Sequence, residues 1–194
     1  GLMIRSDAED GSSSHFTVVL RSGPDTTGDG TYVQTRPLNG NSSKSGEARI
    51  DFGAGPILSD SGDGVYLRLT RIVDPFDVCI AEVSPDGEEW FHVHSTAIAD
   101  MGETAAFGLT VTNHLDNDQL AEATFSEVSI SDEITELPSM IQTEDLGEFS
   151  YGLDIGDFRI PGFSSYDADN DEYTVEGSGA DIWGSDDDFR YVFN

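Results

Sequence analysis

Asp167, Asp169 and Asp171 stand at alternate positions in Asp167-Ala168-Asp169-Asn170-Asp171-Glu172. Oxygen ligands at positions one, three and five are how a calcium loop begins, so this segment is the candidate calcium site. Two parts of that pattern are missing. Glu172 occupies the position of the loop glycine, and no late bidentate glutamate follows. The competing expectation is an acidic hairpin turn between Tyr166 and Tyr173. Asp186-Asp187-Asp188 carries the same two readings. His92 and His94 lie two apart on a strand, where side chains share a face. Two imidazoles can begin a zinc site, but a third ligand is required and none is identifiable from spacing. A half-buried strand face is the alternative. Asn41-Ser42-Ser43 is an N-glycosylation sequon in a loop rich in Gly, Asn and Ser.

Aromatic and nucleophilic residues give less. Trp90, Trp183, Tyr66 and Phe91 are candidates for a platform on which a sugar ring stacks, but aromatics on strands more often fill a core. Cys79 is the only cysteine, so no intramolecular disulfide forms. Its setting, Asp77-Val78-Cys79-Ile80-Ala81, is that of a small buried hydrophobe. The chain lacks Gly-x-Ser-x-Gly, His-Glu-x-x-His and a phosphate-cradling loop. It also lacks the Glu-x-Asp-x-(x)-Glu strand found in some glycosidases. The expectation is a protein that is not an enzyme, with a glycoside hydrolase or lyase as the last alternative.

The elements that must position these residues are strands. Apolar or alternating runs of strand length recur between clusters of Gly, Asp, Ser and Asn. They are Phe16-Leu20, Tyr32-Thr35, Ala48-Phe52, Val65-Arg71, Val78-Val83, Trp90-Ser95, Ala106-Thr112, Ala123-Ile130, Tyr173-Glu176 and Phe189-Phe193. Leu67 and Leu69 face one way, Arg68 and Thr70 the other. Ser84-Pro85-Asp86-Gly87 is a turn signal between two runs. No stretch sustains helical periodicity; the best helix candidate, Glu133-Met140, contains Pro138. The expected fold is all-β, an antiparallel β-sandwich. Residues 1–131 are expected as the first part, 132–152 as an acidic connector, and 153–194 as a second part where strand patterning resumes.

Charge bounds the partners. The chain has 38 Asp plus Glu against 9 Lys plus Arg, a formal net charge of -29. Its 11 Phe, 6 Tyr and 2 Trp recur in strand-like runs, which argues against an acidic disordered tail. The acids are spread along the whole length, as in proteins adapted to molar salt, where the Debye length falls to about 3 Å and self-repulsion is screened. Nucleic acid and anionic membrane surfaces are poor partners for such a coat. No apolar run reaches the ~20 residues of a membrane span, so membrane insertion is not expected.

Several stretches, taken in order, resemble a known family. They are Gly1-Leu2-Met3-Ile4-Arg5-Ser6, Val65-Tyr66-Leu67-Arg68-Leu69-Thr70-Arg71, Ser84-Pro85-Asp86-Gly87-Glu88-Glu89-Trp90, Phe107-Gly108-Leu109-Thr110-Val111-Thr112-Asn113-His114 and Ala123-Thr124-Phe125-Ser126-Glu127-Val128. Their order is similar to that of the concanavalin A-like, laminin-G-like jelly-roll modules of secreted bacterial and archaeal proteins. The later stretches Leu153-Asp154-Ile155-Gly156, Pro161-Gly162-Phe163-Ser164-Ser165-Tyr166-Asp167, Tyr173-Thr174-Val175-Glu176 and Asp188-Phe189-Arg190-Tyr191-Val192 resemble the beginning of the same module. The resemblance implies the late part of one module followed by the early part of another. The chain is then either a circular permutant or a span across a repeat boundary, with residues 153–194 packing on residues 1–131 or on a neighbouring copy. It further implies an extracellular or cell-surface place and a structural repeat module of a surface or filament protein. The partners would be tandem copies or a homo-oligomer, joined by β-strand pairing. A carbohydrate-binding module attached to a polysaccharide is the alternative.

Overall fold

The structure is a computed structural model. It describes residues 1–21, 30–36, 40, 44–46, 65–74, 77–98, 101–112, 119–133, 137–138, 140–156, 160–179, 182–183, 186–187 and 189–194. The expected strand Ala48-Phe52 and the sequon residue Asn41 lie outside them.

Strands β1 (Leu2–Arg5), β2 (His15–Arg21), β3 (Gly30–Arg36) and β4 (Lys44–Gly46) come first. Next are β5 (Tyr66–Ile72), β6 (Val78–Ser84), β7 (Phe91–Thr96) and β8 (Ala106–Leu109). The rest are β9 (Ile141–Gln142), β10 (Tyr151–Ile155), β11 (Phe163–Asp167), β12 (Glu172–Glu176), β13 (Ile182–Trp183), β14 (Asp186–Asp187) and β15 (Phe189–Phe193). The described residues contain no helix, and every strand pairing is antiparallel. The protein is all-β.

Three sheets make layers. The first has the order β4-β3-β2-β1-β8, the second β5-β6-β7 and the third β15-β10-β9. Ile4, Phe16, Val18 and Val33 of the first sheet pack on Cys79, Ala81, Val83 and Val93 of the second. The opposite face of the second sheet presents Ile72, Val78 and Ile80 to Met140 and Leu153 of the third layer. β6 is therefore the middle of the molecule. All seven of its residues are buried, as its nearly continuous apolar run anticipates. Leu67 and Leu69 turn toward the first core, while Arg68 points to the opposite face.

The turn between β6 and β7 forms as its residues dictate. Asp86 Oδ1 accepts from the backbone amides of Glu88 (2.8 Å) and Glu89 (3.0 Å), and Ser84 Oγ accepts from Gly87 N (2.8 Å). Gly87 has φ +80°, and the Tyr66 ring stands 3.4 Å from where a Cβ would be. The left-handed φ favours glycine there, whereas the ring would be at ordinary van der Waals distance.

Several expectations change. Ala123–Ile130 forms no strand and joins none of the described sheets. The expected strand Ala106-Thr112 ends at Leu109. Residues 132–152, expected as a connector, hold β9 and the buried side chains of Met140 and Leu146. Those two side chains are apolar, and the Ile141 amide donates to the Pro138 carbonyl at 2.8 Å, so the segment turns inward. Pro138 and its neighbours make no helix among the described residues. The third sheet is bound to the second within the same chain: Ser95 pairs with Gly156, and Ser95 Oγ donates to the Asp154 carbonyl at 3.1 Å.

Candidate assembly surface

Among the described residues, the first two sheets differ in width, and the difference leaves a gap. β5 lies over β1, β6 over β2 and β7 over β3. β8, the fifth strand of the first sheet, has no described strand over it. Phe107 is paired with Ile4 and Leu109 with Leu2, so both point to the face on which Ile4 is fully buried. Phe107 is nevertheless 44% exposed and Leu109 48%. They form an apolar ledge on the core side of the sandwich. Beside the gap, β5 has β6 on one edge and no described neighbour on the other. A sheet edge with free amides and carbonyls next to an exposed apolar face is a site for an added strand.

The segment after β8 has the complementary character. Residues 119–133 are described and almost wholly exposed. Leu120 is 99% exposed, Val128 54% and Ile130 76%. Glu127 has φ +55°, a left-handed conformation that is uncommon for a residue other than glycine.

A second polar feature lies within the molecule. Arg68, Glu82 and His92 stand opposite one another on β5, β6 and β7. Glu82 is fully buried; its Oε2 accepts from Arg68 Nε at 2.7 Å, and its Oε1 makes no hydrogen bond. The Arg68 guanidinium lies 4.2 Å from the Trp90 ring centroid. Burial, and secondarily the charge of His94, lowers the His92 pKa to about 3, so its imidazole is neutral. The pairing register shifts here: Glu82 faces His92 and Ala81 faces His94, with Val93 extra between them. This bulge overturns the expectation that His92 and His94 share a face. His92 stands opposite Glu82 on the side toward the third sheet, while the His94 ring stacks on Phe16 of the first sheet at 6.1 Å. A zinc site using both histidines is not built.

The third sheet turns its other face to the β11–β12 hairpin around one arginine. Arg190 Nη1 donates to Asp154 Oδ2 and to the Met140 carbonyl, both at 3.2 Å. Its Nη2 donates to Gln142 Oε1 at 2.7 Å and its Nε to Ser164 Oγ at 3.2 Å. Both charged side chains are essentially buried. Asp154 Oδ2 also accepts from Gly162 N at 2.9 Å, and Oδ1 has no hydrogen bond. Burial raises the Asp154 pKa against the opposing effects of the Gly162 hydrogen bond and of Arg190. A Cβ on Gly152, Gly162 or Gly177 would fall within 2.7 Å of an atom of this cluster or of the backbone beside it. The cluster was not visible in the sequence, because Asp154 and Arg190 are two of many charges and lie far apart in the chain.

The candidates read from the sequence are placed as follows. Asp167 Oδ1 accepts from the amides of Asp169 (3.0 Å) and Asn170 (3.3 Å), and its Oδ2 accepts from Asn170 Nδ2 (2.8 Å). Asp171 Oδ1 accepts from the Tyr166 hydroxyl at 2.8 Å. These are the bonds of the hairpin turn between β11 and β12. Among the described residues, no group of three or more His, Cys, Asp or Glu is disposed to hold a metal, so Asp167, Asp169 and Asp171 are not gathered as calcium ligands. Asp186 and Asp187 form β14, paired with β13. Trp90 lies beside Arg68, Phe91 packs on the first core and Tyr66 lies against Gly87; the Trp183 side chain lies outside the described ones. Cys79 is buried, and burial pushes its thiol pKa up to about 12, which leaves no reactive thiolate. Comparisons with family models, with curated proteins and with solved structures find no match to this chain.

Proposed function

We propose that the protein is a structural module that assembles through β-strand pairing, outside the cell and in high salt, on a concanavalin A-like jelly-roll plan. The observation that carries this reading is the apolar ledge of Phe107 and Leu109 beside the edge of β5 that has no described neighbour. Apolar side chains on the core face of a sandwich are costly to leave in water, at about 25 cal/mol per Å². A further strand removes that cost and pairs the edge at the same time.

The charge distribution supports the salt requirement. Every arginine whose side chain is described is held within the chain. Arg5 donates to Ser13 and to the Asp10 carbonyl, Arg36 to the Gly11 carbonyl, Arg68 to Glu82, Arg71 to Asp77, and Arg190 to Asp154. Among the described residues these cations are used inside, and apart from the buried Glu82 and Asp154 the carboxylates are left to the solvent. Two copies therefore repel until salt shortens the Debye length to about 3 Å at 1 M. Sedimentation at rising protein concentration is expected to give larger species in molar NaCl and monomers in dilute buffer. A monomer in both conditions at every concentration removes the assembly reading.

One observation favours a polysaccharide-binding role as the second reading. Along β15, the Tyr191 and Phe193 rings stack at 4.9 Å with planes 10° apart, and Tyr191 is half exposed. Retardation on gels containing a neutral polysaccharide, lost in Tyr191→Ala, is the expected result for that role. Unchanged mobility of the wild-type protein across such polysaccharides counts against it.

A further inference from the structure

We infer that residues 120–130 of one copy fill the gap over β8 in a second copy of this chain, reciprocally, to make a two-fold dimer. This rests on the strand-pairing reading and names the strand, its slot and its donor. The slot is defined by the layer alignment: a strand added to the free edge of β5 comes to lie over β8, as β5 lies over β1. Its inward side chains then cover Phe107, Leu109 and, beyond the strand end, Val111.

The segment has the shape this requires. Ala123 and Phe125 have one strand parity, Val128 and Ile130 the other. Glu127, left-handed at φ +55°, stands between the two pairs as the extra residue of a bulge does. A bulge there brings both pairs to one face. The segment does not occupy the gap of its own chain, since Leu120, Val128 and Ile130 are exposed while Phe107 and Leu109 remain uncovered.

The exposed apolar area contributes to a dimer interface. Phe107, Leu109, Val111, Val128 and Ile130 are all about half exposed or more. At roughly 50–100 Å² for each such side chain, every copy removes about 250–500 Å² of side-chain surface before any backbone is counted. A stable interface needs about 800 Å² from each partner, so the backbone and remaining side chains of the added strand contribute the rest. Because each copy gives a strand and receives one, the contact is isologous and closes on itself. Glu122, Glu127, Asp132 and Glu133 in and beside the segment meet an equally acidic partner, so the exchange requires screening salt.

Two variants test the exchange. V128D/I130D damages the donated segment and F107S/L109S damages the ledge; the altered side chains are about half exposed or more, and circular dichroism checks that each variant folds. In molar NaCl each variant alone is expected to sediment as a monomer, while their equimolar mixture forms dimers joined at the one intact slot. Hydrogen exchange on the wild-type protein is the companion measurement and needs no substitution. Protection of Tyr66–Ile72 and of Ala123–Ile130 is expected to rise together with protein concentration. Wild-type assembly that both variants retain overturns the exchange and leaves assembly through another surface. Protection of the segment that does not depend on concentration also overturns it, because the segment then docks in its own chain. A wild-type protein that is monomeric at every salt and concentration overturns the wider reading as well.

Discussion

Arg190→Ala is expected to lower the stability of the fold by about 3–5 kcal/mol, the cost of leaving a buried charge without its partner. The substitution strands Asp154, which is fully buried, keeps only the Gly162 amide on Oδ2, and already lacks a partner on Oδ1. It also removes the donors that Gln142, Ser164 and the Met140 carbonyl receive. The loss falls on the third layer, because these groups tie β9, β10, β11 and β15 together. Glycines at 152, 162 and 177 pack against the arginine and its partners, so truncation leaves a void as well. Denaturant unfolding in molar salt measures the effect. R190M/D154L, which replaces the pair by apolar groups of similar size, is expected to recover most of the loss. If R190A unfolds at the wild-type midpoint, the pair does not hold the layer.

The Asp154 pKa adds a sign to that prediction. Burial raises it above the ordinary carboxylate value, so the folded state holds the proton more tightly than the unfolded chain. Such a group favours the fold at low pH and loses that contribution as pH rises through its folded value. Removing Arg190 removes an interaction that opposes the rise. The deficit of R190A is therefore expected to be largest at neutral pH and smaller in acid. A deficit that stays constant from neutral to acid pH contradicts a buried, charged Asp154.

What was legible in the sequence follows the range of the interactions involved. Period-two alternation marked β5, β7 and β12, and the apolar run Val78-Cys79-Ile80-Ala81 marked the most buried strand, because face and burial are written in neighbouring residues. The Ser84–Gly87 turn was legible for the same reason. Alternation also marked Ala123–Ile130, which forms no strand, since pairing needs an edge that no periodicity reveals. The bulge at Val93 was hidden too: nothing local distinguishes it from the residues beside it, yet it sends His92 and His94 to opposite faces. The inward turn of 132–152 was masked by its acids, although Met140 and Leu146 carried the signal. Asp154 and Arg190 were illegible in principle, because with 38 acids in the chain no single carboxylate stands out until the fold buries it.

Acidification from pH 6.5 to 4.5 is expected to cost roughly 4–5 kcal/mol of stability in molar salt, a large part of the 5–15 kcal/mol of an ordinary domain. Two histidines carry the effect; Asp154, whose raised pKa favours the fold in acid, opposes it. His15 is buried, with its Nδ1 3.1 Å from Thr17 Oγ1. Burial, then the charges of Arg36 and Arg5, lowers its pKa to about 4. His92, between Glu82 and the third sheet, is lowered to about 3, chiefly by burial. An unfolded histidine takes up its proton near pH 6.5. Below that value the unfolded chain binds protons that the folded chain refuses, so stability falls with pH. The loss is about 1.4 kcal/mol per pH unit for each histidine until the folded group titrates. Most surface carboxylates stay ionised in this window, so relief of their mutual repulsion sets in only at lower pH. Molar salt screens the contribution of the arginines, whereas the contribution of burial persists. Unfolding midpoints across the window, measured for the wild type, His15→Asn and His92→Gln, resolve the contributions. Each substitution is expected to remove about half of the slope. A wild-type midpoint that does not move between pH 6.5 and 4.5 means that the two imidazoles are not held neutral by the fold.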